Sequence, residues 1–251
     1  MSPKPRYQEH FDGWYADRAA TPAADVIINR HMGLPEQLLP GMIPAEGIPQ
    51  MIEELRLNPG DLLLDLGCGR GSYGLEIAAR AGTRLIGVDF SEVALGEARA
   101  QARRLGREAD FRLGDLAATG LPASAVNAVL CADSIGFPED PAAAFAEIRR
   151  VLVPGGRAVV TGWEARDHDD ERLPSQARRI DAGAGLRAAG MTDVEVLDRP
   201  GWHAREHAIW EEAAALAPDS PPALADLRDQ ALWALQFYDL RRRVMATATA
   251  P

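Results

Sequence analysis

From Leu62 onward the chain alternates short apolar runs with stretches of helical spacing, and few folds admit that rhythm. Leu62–Leu66 (LLLDL), Arg84–Asp89 (RLIGVD), Ala109–Leu113 (ADFRL), Val126–Cys131 (VNAVLC), Ala158–Gly162 (AVVTG) and Val194–Leu197 (VEVL) read as strands. Between them, Ser72–Arg80, a stretch from an N-cap at Ser91 to about Leu105, and Pro141–Val153 read as helices. Pro154-Gly155-Gly156 is expected to stop the last of these. Strands alternating with helices need βαβ crossovers, hence an α/β fold with a largely parallel sheet covered on both faces. Val244–Thr249 is the candidate for a final strand.

Two regions break the rhythm. Residues 1–50 carry Tyr7, Phe11, Trp14 and Tyr15 on an amphipathic stretch, then a loop rich in proline and glycine from Gly33 to Pro49. Residues 202–240 form two helical stretches, broken at Pro218–Pro222, that hold Trp202, Trp210, Trp233, Phe237 and Tyr238. Three segments are expected: an N-terminal helical lid (1–50), a core (51–201), and a helical cap with the final strand (202–251). The aromatic residues of both flanks fit a lid that seals an apolar ligand from water, or simply pack the cap on the sheet.

The 251 residues carry a formal charge of -10, with a sequence pI of about 5.0. Neither nucleic acid nor an anionic membrane is favoured as a partner. Cys68 and Cys131 lie in glycine-rich or apolar surroundings and suggest no disulfide framework. MSPKPRYQEH lacks an apolar leader, and no run approaches the ~20 apolar residues of a membrane span. A cytoplasmic protein is the expectation.

The first strand opens into Gly67-Cys68-Gly69-Arg70-Gly71-Ser72-Tyr73-Gly74. Gly69 to Gly74 matches G-x-G-x-x-G, a turn that lets backbone N–H groups meet a ligand at a helix N-terminus. A nicotinamide or flavin dinucleotide is therefore one reading, with an NAD(P)-dependent oxidoreductase as its consequence. Asp65 argues otherwise. Its carboxylate ends the strand beside the loop, where it would repel a pyrophosphate and attract an ammonium group. S-adenosylmethionine has the ammonium and no phosphate. Asp89 ends the second strand, where an acid accepts from ribose hydroxyls in either cofactor class. Asp115, in RLGDL, could accept from the adenine amino group while the Leu116 N–H donates to the ring.

Taken in order, LLLDLGCGRG, LIGVDFS, GDLAATGLP, AVNAVLCADS and EIRRVLVPGGRAVVTGW resemble the successive motifs of class I S-adenosylmethionine-dependent methyltransferases over roughly residues 50–198. The resemblance implies a Rossmann-like, seven-stranded, mostly parallel sheet with helices on both faces and a reversed final strand. It implies S-adenosyl-L-methionine as cofactor. Asp65, Gly67, Cys68 and Gly69 would face its methionine end, Asp89 its ribose, and Phe90 would pack on adenine. Gly114, Asp115 and Leu116 would read the adenine edge, Cys131 would line the floor with its backbone, and Tyr15, with Tyr7 and Trp14, would stand at the mouth. Plainer roles compete: a helix-capping acid for Asp65, turn residues for Asp89 and Asp115, core packing for both cysteines.

Many small-molecule members of this family carry a histidine just after the fourth strand. Here that region reads Ala132-Asp133-Ser134-Ile135-Gly136-Phe137. Asp133 and His31 are the candidates for a general base, with His203 and His207 behind them. No metal is expected: Asp167–Glu171 reads as a solvated loop, and the acids Asp133 and Glu164 are a weak magnesium pair. The expected function is methyl transfer to a small organic molecule in bacterial secondary metabolism. Besides the oxidoreductase, a cyclase or regulatory protein that binds the cofactor without transferring its methyl group stays open.

Overall fold

The computed structural model describes residues 8–251. Seven strands form one sheet: β1 (Leu62–Leu66), β2 (Arg84–Asp89), β3 (Asp110–Leu113), β4 (Val126–Ala132), β5 (Leu152–Ala165), β6 (Thr192–Asp198) and β7 (Arg241–Thr249), in the order β3-β2-β1-β4-β5-β7-β6. β1 to β5 pair in parallel, and β7 inserts antiparallel between β5 and β6. The order reverses after β1, so the loops following β1 and β4 open beside one another. Such a crevice at the strand C-termini is where open α/β sheets bind ligands.

Ten helices accompany the sheet among the described residues: α1 (Gln8–Ala20), α2 (Ala23–Met32), α3 (Gly47–Leu55), α4 (Ser72–Ala81), α5 (Glu92–Leu105), α6 (Pro141–Val151), α7 (Ser175–Arg178), α8 (Ala182–Ala188), α9 (Pro200–Ala214) and α10 (Pro222–Gln236). Local chemistry sets their ends. Ser91 Oγ accepts from the Ala94 N–H at the start of α5, which stops at left-handed Gly106. Asp140 caps α6, with Pro141 in its first turn.

Each face of the sheet buries its own apolar layer. On one, Leu63, Leu85, Ala128 and Val159 meet α2, α3, α4, α5, α9 and α10 through Ile28, Met51, Leu75, Leu95, Ile209 and Leu227. On the other, Leu64, Val88, Val129 and Val160 meet α6 and α8 through Phe145, Ile148 and Leu186. No helix among the described residues is long and apolar enough to cross a membrane.

Two of the departures from the expected boundaries have a visible cause. α6 ends at Val151, and Pro154–Gly156 fall inside β5. A register shift makes this possible: Val126 faces Leu152 while Ala128 faces Arg157, and Gly155 takes φ 77° in the bulge between. β7 begins at Arg241, three residues before the expected start, because Arg241, Arg242 and Arg243 pair with Ala165, Glu164 and Trp163.

Candidate active site

The crevice beyond β1 and β4 holds a cavity of about 460 Å³, within the range of small-molecule sites. It runs from the glycine loop, through Asp65, Gly67, Cys68, Gly69 and Tyr73, to a far wall of Trp163, Glu206, Trp210, Leu227, Gln230, Trp233 and Arg241. Phe11, Trp14 and Tyr15 of α1 close it from above, and Asp133, Ser134 and Phe137 of the loop after β4 from the side.

β1 delivers Asp65 to the loop with its side chain buried, and its Oδ2 accepts from the Gly74 N–H at 3.2 Å. No cation pairs with it among the described residues. Burial therefore pushes this carboxyl up to about 7, against the lowering by the Gly74 amide and with a further rise from nearby Asp89. Gly67, Gly69 and Gly71 all take left-handed φ, so the chain turns without side chains over the crevice. A Cβ on Gly69 would stand 2.8 Å from Tyr15 Oη.

Asp89 fixes the loop from β2. Its Oδ2 accepts from the Gly69 N–H at 2.8 Å and its Oδ1 from the Ser91 N–H at 2.9 Å. Its carboxyl is nonetheless held above the usual range, because burial outweighs these hydrogen bonds. Arg70 ties the same loop to α2, donating to Asp25 Oδ2 at 2.7 Å and to the Pro40 carbonyl at 2.8 Å. Ser134 Oγ donates to the Gly67 carbonyl at 2.9 Å, joining the loops after β1 and β4.

The expected residues divide. Tyr15, Asp65, Gly67, Cys68, Gly69 and Asp133 line the cavity; Asp89, Phe90, Gly114, Asp115, Leu116 and Cys131 do not. At the expected adenosine end α1 lies across the loop. Phe11 packs edge-on against Phe90 at 5.7 Å and Phe137 at 4.9 Å, and Asp12 accepts from Ser91 Oγ. Asp115 Oδ1 accepts from the Ala117 N–H at 2.8 Å in a local turn, while Leu116 and Cys131 are buried in the core. Burial pushes both thiols, Cys68 and Cys131, well up, so neither is a thiolate nucleophile. Tyr7 lies outside the described residues.

The base candidates fare differently. His31 does not reach the cavity: its Nε2 lies 2.8 Å from Glu212 on α9, because the outer face of α2 packs there. His203 stacks on Tyr238 at 3.9 Å, His207 lies 3.4 Å from Glu211, and neither lines the cavity. Asp133 does line it, but its carboxylate accepts from Thr161 Oγ1 at 2.7 Å and from Arg243 Nη2 at 2.9 Å. Glu164 accepts from the Ala182 N–H and from Arg242 Nη2.

Glu206, Arg241 and Arg243 were not singled out from sequence. Fully buried Glu206 accepts from the indole N–H groups of Trp163 and Trp210, both at 2.8 Å, and Arg243 Nε lies 3.7 Å away. Arg243 also stacks over Trp163 at 4.2 Å. The one available signal was the spacing of Trp202, Glu206 and Trp210 at i, i+4 and i+8, which puts them on one helical face.

Residues 63–156 match the family described as Methyltransferase domain. These residues belong to the class I S-adenosylmethionine-dependent methyltransferase family. Within the domain, the match begins in β1 and ends with the bulge of β5. A sterol 24-C-methyltransferase from Saccharomyces cerevisiae is 30% identical over 143 residues, 55% of this chain and 37% of that protein. A probable S-adenosylmethionine-dependent methyltransferase from Mycolicibacterium smegmatis is 34% identical over 147 residues, 52% of this chain and 55% of that protein. The chain thus spans only about a third to a half of these curated relatives. Among solved structures, the [4+2]-cyclase SpnF superposes with a TM-score of 0.75 at 23% identity, covering 99% of this chain and 98% of that one. The domain supersedes the dinucleotide reading of the glycine motif.

The methyltransferase loop fits its cofactor class on one feature above all. Asp65 is a buried carboxylate on a cavity wall, without a counter-charge among the described residues, which suits an ammonium group and opposes a diphosphate.

Proposed function

We propose that this protein binds S-adenosyl-L-methionine and transfers its methyl group to a small organic acceptor. The observation that carries the reading is the single cavity that joins the glycine loop, with Asp65, to the aromatic wall of α9 and α10. When bound, the cofactor supplies an electrophilic methyl on a sulfonium, a good leaving group. Asp65 would hold the cofactor's ammonium, Asp89 its ribose hydroxyls, and Tyr15 would close over Gly67–Gly69. Phe90, Gly114, Asp115, Leu116 and the Cys131 backbone keep their proposed places at the adenosine end, which α1 must uncover.

Trp163, Trp210, Leu227 and Trp233 would hold an apolar acceptor and exclude water around the transfer. Asp133 is bound to Arg243 and serves better to position the loop after β4 than to take a proton. Acceptors that need little base assistance suit such a site. A sterol is the acceptor in the yeast relative's name, and the net charge of -10 favours a small molecule over nucleic acid here too, within bacterial secondary metabolism. Incubation with methyl-labelled cofactor and a panel of apolar small molecules should yield a labelled product; labelled cofactor bound with no transfer to any acceptor would contradict the reading.

A second reading keeps the cofactor as a structural group in a cyclase. It is favoured by the whole-chain superposition on SpnF. Conversion of a linear precursor to a cyclic isomer, unchanged in mass and unaffected by replacing the cofactor with S-adenosylhomocysteine, would decide for it.

A further inference from the structure

The far wall of the cavity contains a buried cation with nothing to bind. Arg241, the first residue of β7, is 9% exposed and lines the cavity. Its Nε is buried without a hydrogen-bond partner. Other arginines also bury an unpartnered nitrogen, but each is anchored by another atom of its guanidinium. Arg107 pairs with Glu76, Arg199 with Met245 Sδ, Arg228 with Asp229, Arg242 with Glu164 and Arg243 with Asp133. Among the described residues, Arg241 alone of these has neither a hydrogen bond nor an ion pair.

The nearby carboxylate is already committed. Glu206 accepts from Trp163 and Trp210 and lies 3.7 Å from Arg243. Arg241 instead rests over the ring of Trp233, with its guanidinium carbon 5.4 Å from the centroid. A buried guanidinium without partners is costly, and burial holds its pKa below the usual range. Its planar fork matches the two oxygens of a carboxylate.

We propose that Arg241 anchors a carboxylate on the acceptor, so that the cavity takes a flat, apolar carboxylic acid. Trp163, Trp210 and Trp233 supply the apolar faces, and Gln230 adds a polar group at the same end. The word acceptor rests on the methyl-transfer reading above; the anion site does not.

Two probes test it by quenching of tryptophan fluorescence: 2-naphthoate and its neutral counterpart 2-naphthamide, each titrated at pH 7.5 with and without saturating S-adenosylhomocysteine. Naphthoate should bind at least tenfold more tightly than the amide. Arg241→Met should abolish that difference and leave Tm equal or higher, since it removes an unpaired buried charge; Arg241→Lys should keep most of it. Should Arg241→Met fail to fold, Arg241→Gln takes its place, and the wild-type comparison stands by itself. Equal binding of acid and amide, no saturable binding of naphthoate, or a preference that survives loss of the arginine overturns the proposal. The same samples titrated with S-adenosylhomocysteine separate the two readings. An Arg241-dependent preference in a protein that ignores the nucleoside sinks methyl transfer and leaves the anion site standing; the reverse sinks only the anion site.

Discussion

Arg243 Nη2 donates to both oxygens of Asp133, at 2.9 Å each, from a side chain with no exposed surface. The pair joins the reversed strand β7 to the loop after β4, and it converts the expected general base into a structural anion. Removing the carboxylate leaves a buried guanidinium with the Met42 carbonyl at 3.4 Å and Glu206 at 3.7 Å as its remaining polar neighbours. Asp133→Ala should therefore lower stability by about 3–5 kcal/mol, read as a shift in the urea midpoint. A loss below 1 kcal/mol would show that the pair holds nothing together.

On the proposed role of Asp65, cofactor affinity depends on pH. Its carboxyl is held at about 7 in the folded chain, against about 3.9 in an unfolded one. A raised acid pKa favours the folded state while the group is protonated. That stabilisation is complete below the unfolded value and is lost as pH climbs through 7. Asp65→Asn should thus stabilise the ligand-free protein above pH 7 by roughly 2–4 kcal/mol. Binding an ammonium needs the carboxylate, so S-adenosylhomocysteine affinity should fall about tenfold per unit below pH 7 in the wild type. Calorimetry at pH 5.5 to 7.5 checks this; an affinity flat across the range contradicts it.

Asp89 holds two backbone amides and, on this account, two ribose hydroxyls. Asp89→Ala should cost about 3 kcal/mol of S-adenosylhomocysteine binding, roughly 100-fold in Kd. Unchanged affinity would remove the ribose from this strand end.

Gly74 leaves room for the acid. A Cβ there would stand 2.5 Å from Asp65 Oδ2 and 3.0 Å from its Cβ, whereas one on Gly96 meets nothing within 4 Å. Gly74→Ala should destabilise by about 1–3 kcal/mol and weaken cofactor binding. Gly96→Ala, inside α5, should stabilise by about 0.4–1 kcal/mol. Thermal melts of the two variants should move in opposite directions.

The central strands β1, β2, β4 and β5 were legible because they are buried on both faces and so read as apolar runs, and the Ser91 cap because its signal is local. Pro154–Gly156 reads as a stop because proline and glycine punctuate locally; only the bulge opposite Val126 lets the strand carry them. Arg241-Arg242-Arg243 received no assignment from sequence, yet pairing with β5 buries Arg241 and Arg243. In α9 the polar pair His203 and His207 drew notice, while Glu206 between them, with Trp210 one turn on, reaches the cavity. Asp133 was visible as a candidate, but its partner lies 110 residues away, beyond any local pattern. The covering of Phe90 by α1 likewise follows from how the N-terminal helix docks.

In the proposed function, the turn after β1 receives a cationic amino-acid tail rather than a diphosphate. Parallel calorimetric titrations with S-adenosylhomocysteine and NADH test it most directly. One-to-one binding of the sulfur nucleoside at micromolar Kd, abolished by Asp65→Asn, with no heat from NADH, is the predicted result. Saturable NADH binding in a protein that ignores S-adenosylhomocysteine would contradict it.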